Sequence, residues 1–261
     1  MADLEQQTAQ RWIDRWDLQQ QHYLPDREDR FTTLIDAVEA QAGRPDPLVL
    51  DLGCGPGSLS VRLLDRMPAA TVIAIDADPL LLTLGRAAYR DRAGLRFADC
   101  DLRSPGWAAQ LGLDRPVDAA VSTTALHWLP GPALRALYAE LVTVLRPGAL
   151  LLDGDHFRGD ETATPVIERL SEALIEREEQ RRFPQGHQET WDGWWAAVAA
   201  DPDLAGLATR RGQLHLDAEH HGSPSAWLAT HVDALRAAGF GEVGTLWQRG
   251  NNRILCAVAS G

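Results

Sequence analysis

Five short apolar runs separated by helix-length segments dominate the middle of this chain. Residues 48–52, 71–75, 95–98, 117–121 and 149–152 read as mostly apolar, with single polar positions rather than an alternating pattern, as expected of strands buried on both faces of a sheet. Between them 58–67, 79–92 and 132–146 read as helices, stopped by Pro68, Gly94 and Pro147-Gly148. Alternating strands and helices imply parallel pairing through right-handed crossovers, and hence an α/β, doubly wound sheet.

The flanks read differently. Leu4, Trp12, Ile13 and Trp16 can share one helix face, Pro25-Asp26 interrupts the run, and Phe31, Leu34, Ile35 and Val38 resume it before Gly43 to Pro47 stop it. Near the end, 224–238 reads as a helix stopped by Gly239. Residues 242–248 and 254–259 flank a Gly250-Asn251-Asn252 turn, which favours an antiparallel hairpin. The expected sheet is therefore seven-stranded and mostly parallel. The stretch 155–238 exceeds what a crossover needs and shows no buried-strand pattern, so it reads as a helical insertion, with Trp191, Trp194, Trp195 and Trp227 in it. One domain over 1–261 is expected, made of N-terminal helices (1–42), a core (48–154), the insertion as a lid (155–238) and the hairpin (239–261).

Composition narrows the function. The chain has 261 residues and a formal charge of -12, which repels phosphate backbones and anionic membranes and disfavours both as partners. All 25 basic residues are arginine, so Schiff-base lysine chemistry and a phosphate-loop lysine are excluded. Cys54, Cys100 and Cys256 lie far apart without a CxxC pair, which fits neither a disulfide framework nor a cysteine zinc site and suits a reducing cytoplasm. No uncharged apolar run approaches membrane-spanning length, and the N-terminus lacks a leader pattern.

The chemistry concentrates in Val49-Leu50-Asp51-Leu52-Gly53-Cys54-Gly55-Pro56-Gly57-Ser58, a strand entering a glycine-rich turn and then a helix. These glycines let the backbone bend tightly and let a ligand approach closely. Ser58 breaks the G-x-G-x-x-G dinucleotide pattern. The next strand ends at Asp76-Ala77, where a carboxylate can accept both hydroxyls of a ribose diol. The third ends at Asp99-Cys100 on the same sheet edge, where an adenine amino group could be read. One nucleoside can bridge the three loops.

In these motifs the chain resembles class I S-adenosylmethionine-dependent methyltransferases, across about 48–153 and the final hairpin. The resemblance implies S-adenosylmethionine as cofactor and S-adenosylhomocysteine as product. Asp51, Gly53, Cys54 and Gly55 would surround the methionyl and ribose parts, Asp76 with Ala77 would bind the ribose, and Asp99 with Cys100 would bind the adenine. The segment from Ser122 to Trp128 would lie beside the methyl donor. Leu126-His127-Trp128-Leu129 is also similar to the trans-aconitate branch of small-molecule methyltransferases. Ser122 stands where catechol-type enzymes carry an acidic residue, and Ser122 to Ala125 replace the Asn-Pro-Pro-aromatic motif of many amino-group enzymes. A small-molecule acceptor, no metal and no nucleic acid are therefore expected.

Transfer to a hydroxyl requires removal of a proton. His127 and His156 follow the fourth and fifth strands and are the candidate bases, although either can equally be a packed neighbour. Trp128, Trp191, Trp194 and Trp195 are candidate acceptor contacts, the last three being equally readable as lid core. Oxygen is the expected accepting atom. The alternatives are a protein that binds the sulfonium without transferring methyl, as a rearrangement catalyst or sensor, and less favourably an RNA methyltransferase.

Overall fold

A computed structural model describes residues 4–159, 164–186, 189–214 and 227–261. Two helices open the chain: α1 (Gln6–Tyr23) and α2 (Arg27–Ala42), which ends at Gly43 with φ +66°. Then come β1 (Leu48–Leu52), α3 (Ser58–Arg66), β2 (Thr71–Asp76), α4 (Pro79–Ala88), β3 (Leu95–Asp99), β4 (Val117–Thr123), α5 (Gly131–Val144) and β5 (Leu145–His156). The chain continues through α6 (Pro165–Arg182), α7 (Trp191–Ala200), α8 (Ala205–Gln213) and α9 (Leu228–Ala238), and ends with β6 (Phe240–Arg249) and β7 (Asn252–Ala259).

The sheet has seven strands in the order β3-β2-β1-β4-β5-β7-β6. β1 to β5 run parallel, and β7 returns antiparallel between β5 and β6. Both faces are covered, as the unalternating runs require. Leu48, Leu50 and Leu52 of β1 pack toward Leu137, Tyr138 and Leu141 of α5 and Leu235 of α9. Val49 faces Phe31, Leu34 and Val38 of α2 and Leu59 and Leu63 of α3. A third cluster joins α1, α4, α7 and α8 through Trp12, Trp16, Leu81, Trp194 and Leu204.

The structure corrects the expected boundaries in physical detail. β5 continues beyond Leu152 through Asp153 and Asp155, both buried, because β7 pairs with it as far as Asn252 opposite His156. Two carboxylates in a core strand read as a loop in the sequence. β3 is the sheet edge and is only partly covered, with Arg96 exposed. α9, counted with the insertion from sequence, packs into the same core as α5 and buries His231, Ala234 and Leu235. The helices α6 to α8 are the real excursion, and α6 buries none of its residues. His187, His215, His220 and His221, which show no metal-ligand spacing in the sequence, lie outside the described residues.

Gly94, before β3, has φ +80°, and an added Cβ would lie 2.4 Å from the Ala70 carbonyl oxygen. Gly106 has φ +77° but nothing within 4 Å of the same position. Gly106→Ala should cost about 1–2 kcal/mol from backbone conformation alone, and Gly94→Ala about 3 kcal/mol or more because rigid backbone must also move. Urea denaturation of the two variants measures the difference, and equal losses would mean that the contact at Gly94 is relieved freely.

Candidate functional site

The carboxyl ends of the parallel strands meet the floor of a cavity of about 770 Å³, within the range that holds small ligands. Its floor is the β1–α3 turn. The Gly53 and Cys54 N–H groups both donate to the Ile75 carbonyl, at 2.8 and 2.9 Å, which ties the turn to β2. Gly53 has φ +72°, and a Cβ there would lie 2.3 Å from the Ala125 Cβ. The turn and the loop after β4 can touch only because position 53 has no side chain. In that loop Thr124 is the single described non-glycine residue with positive φ, at 50°.

Asp76 ends β2 half-buried on the cavity wall. Its Oδ2 accepts the Gly55 N–H at 2.7 Å and its Oδ1 accepts the Asp78 N–H at 2.8 Å. Burial pushes the carboxyl up to about 6, against the pull of these N–H bonds. A carboxylate offers about four acceptor sites in all, so Asp76 keeps acceptor capacity for a ribose hydroxyl. Asp78 caps α4 by accepting from the Leu80 and Leu81 N–H groups, and its other oxygen accepts from Arg211 Nε at 2.5 Å.

Other sequence candidates fall into two groups. Gly53, Cys54, Gly55, Ala77 and Cys100 line the cavity with Asp76. Asp51, Asp99 and Ser122 do not. Asp51 lies fully buried beneath the turn, where Ser60 donates to it at 2.6 Å and burial raises it to about 7. Ser122 donates to the Leu52 carbonyl at 2.9 Å and stitches β4 to β1. Asp99 is exposed on the edge strand, and Asp101, beside Arg103, lines the cavity in its place. Burial pushes the Cys54 and Cys100 thiols up, which makes poor nucleophiles of them.

At the tips of β4 and β5, His127 Nδ1 lies 2.7 Å from Asp155 Oδ2, with both residues on the cavity wall. Burial alone would lower the imidazole, but the Asp155 charge and hydrogen bond outweigh it and raise His127 above the ordinary histidine value. Asp155 is held below the usual carboxylate range: burial opposes ionisation, while His127 and Arg30 favour it more strongly. Trp128 stacks on His127 with ring centres 5.3 Å apart. His156 also lines the cavity, but burial, with the Arg30 charge, pushes it down to about 4 and keeps it neutral near pH 7. Among the described residues no cluster of histidine, cysteine or carboxylate side chains has metal-site geometry.

The tryptophans separate. Trp191 and Trp195 line the cavity, as does Trp16 of α1. Trp194 does not: it is fully buried between α1 and α7, and its indole N–H donates to the Trp12 carbonyl at 3.3 Å. Sequence reasoning missed the partnership of His127 with Asp155 and of Asp78 with Arg211. The first had a faint signal, since Asp153 and Asp155 alternate on one side of a strand. The second, between residues 78 and 211, had none.

Against known proteins, residues 49–148 match a family described as "Methyltransferase domain". The trans-aconitate 2-methyltransferase of Azoarcus sp. is 33% identical over 224 residues, covering 86% of this chain and 76% of that relative. The enzyme of the same name from Streptomyces coelicolor is 36% identical over 124 residues, 46% of this chain, and the match spans only 38% of that relative. Among solved structures, magnesium protoporphyrin IX methyltransferase from Synechocystis PCC 6803 with bound SAH shares the fold. Its TM-score is 0.54 at 18% identity, over 95% of this chain and 94% of the other.

If Asp76 must be ionised to accept a ribose diol, affinity for S-adenosylhomocysteine should be level above about pH 6 and weaken as pH falls below it, where the carboxyl takes up its proton. Asp76→Asn should weaken binding at neutral pH by about tenfold or more and flatten that dependence. Calorimetric titration across the range measures both, and a pH dependence unchanged in the variant would remove Asp76 from this role.

Proposed function

Since this chain belongs to the class I S-adenosylmethionine-dependent methyltransferases, we propose that it methylates an oxygen atom of a small molecule held beside the β4 and β5 tips, with His127 as base. The His127–Asp155 pair carries this reading. The two enzymes named trans-aconitate 2-methyltransferase support a small acceptor, and the charge of -12 disfavours RNA.

The cofactor's residues fit its chemistry. The turn from Gly53 to Gly55 offers backbone at close range, Asp76 offers acceptor capacity to a ribose hydroxyl, and the cavity is large enough for a nucleoside and a small acceptor together. The bound cofactor supplies an electrophilic methyl group on positively charged sulfur. The rest falls to the protein. Asp155 holds the proton of His127 on Nδ1, so Nε2 is the basic nitrogen of that tautomer. A hydroxyl placed against it gives up its proton to Nε2, and the resulting imidazolium rests on the Asp155 carboxylate. Trp128 stacks on the ring and restrains its tilt. His156, neutral and half-buried, serves as a neighbour rather than a second cation.

Transfer of label from methyl-labelled cofactor into a panel of small hydroxy and carboxylic compounds, trans-aconitate included, tests the reaction class. Tight S-adenosylhomocysteine binding with no label in any acceptor would refute it. With a productive hydroxyl acceptor, kcat/KM should rise with pH through a midpoint above 6.5, because Asp155 raises His127 and only the neutral ring accepts a proton, whereas a carboxylate acceptor, already ionised, needs no base. His127→Ala should remove that limb and slow turnover about 100-fold or more. Asp155→Asn should move the limb to lower pH. A limb unchanged in both variants would exclude His127 as the base.

A further inference from the structure

Six residues on the cavity wall form a closed cycle of contacts. The Gly55 N–H donates to Asp76, which also accepts the Asp78 N–H. Asp78 accepts from Arg211, and this pair is nearly excluded from solvent, with side chains 6% and 13% exposed. The Arg211 guanidinium lies 3.9 Å from the centre of the Trp195 ring, a cation–π distance. Trp195 meets Trp16 edge to face at 6.2 Å. Trp16 closes the ring, since a Cβ on Gly55 would be 3.8 Å from its Cζ2. Trp191 backs this arrangement, 5.7 Å from Trp16 and 5.6 Å from Trp195.

We propose that Trp16, Trp195 and Arg211 form the outer wall of the cofactor subsite, and that the acceptor meets the His127 side of the cavity instead. The ring contains Asp76, the carboxylate suited to the ribose, so a nucleoside bound there lies beside the same set of contacts. Its outer arc is aromatic and cationic, suited to covering the flat faces of a nucleoside and excluding water from the Asp76 hydrogen bonds. Trp16 stands on α1, and α7 and α8, which carry Trp195 and Arg211, pack into one cluster with α1 and α4, the elements beside the glycine turn and Asp78. The His127–Asp155 pair stands on β4, β5 and the loop between them, and none of the six ring contacts involves either residue. Of the three tryptophans read from sequence as acceptor contacts or lid core, Trp194 is core, and on this proposal Trp191 and Trp195 belong to the nucleoside end rather than to the acceptor. The inference rests on the family's cofactor and not on the identity of the acceptor or the role of His127.

Calorimetry with S-adenosylhomocysteine and with 5′-methylthioadenosine, which keeps the nucleoside and sulfur but lacks the amino-acid part, tests this without turnover. Arg211→Met opens the ring at a residue outside the packed clusters, and Trp16→Leu opens it from α1. Both should weaken both ligands about tenfold or more, whereas His127→Ala should leave both affinities within twofold. Trp16 is also buried, so the thermal midpoint of each variant must be measured. If Trp16→Leu fails to fold, Arg211→Met decides. Affinities within twofold of wild type in folded Arg211→Met would overturn the proposal. So would unchanged nucleoside affinity combined with a raised KM for an acceptor found by label transfer. Should no acceptor be methylated at all, the proposed reaction fails while these affinities still decide the wall.

Discussion

The site depends on one carboxylate that serves two loops. Asp76 stands at the end of β2 and accepts one N–H from the β1 turn and one from its own loop, so a single half-buried charge sets the distance between the glycine turn and the start of α4. Burial of that charge is unfavourable, and the upward displacement of its titration to about 6 is the measure. Two further constraints converge on the same turn. Gly53 must lack a side chain for Ala125 to approach, and the Ile75 carbonyl takes two N–H groups from one bend. The floor of the cavity is therefore set by backbone geometry, which leaves the walls open to variation.

The opposite end of the cavity is built on charges placed inside the sheet. Asp153 and Asp155 project from one side of β5, and Asp155 finds His127 and the His156 N–H. Neither oxygen of Asp153 has a hydrogen-bond partner among the described residues, and His231 Nδ1 stands 3.4 Å away. Burial, with the neighbouring Asp155 charge, drives Asp153 far up, so the pair shares its acidity unequally. Arg30 lies across Gly154 on the other side of the strand, within 2.7 Å of where a Cβ would stand, and its guanidinium reaches Asn252. An isolated buried acid is costly. Keeping one carboxyl neutral concentrates negative charge on the other, which is the one in contact with the imidazole.

Much of the fold was legible because its signals are local. Buried parallel strands announce themselves by mostly apolar runs without alternation, and the glycine turn and Asp76 follow directly from strand ends. The strand continuing past Leu152 was hidden, because Asp153 and Asp155 look like loop residues until the antiparallel neighbour β7 is known. The cavity walls were legible in part. Asp99 was chosen from its place in a motif, yet it is exposed at the end of the edge strand, and Asp101, in the loop past that end, is the acid that lines the cavity. The tryptophans could be counted but not sorted, since spacing on a helix does not say which face meets core. Contacts between residues 78 and 211, or 16 and 195, follow from tertiary docking that no local pattern encodes.

That docking bears on how the molecule assembles. The nucleoside end joins residues from the first helix, the start of α4 and helices beyond position 190, so its contacts have long loops to close and are entropically slow to form. The parallel core can consolidate from nearer neighbours. Such a late-forming enclosure is also the natural first region to open in native-state hydrogen exchange, and a ligand bound within it would couple local unfolding to occupancy.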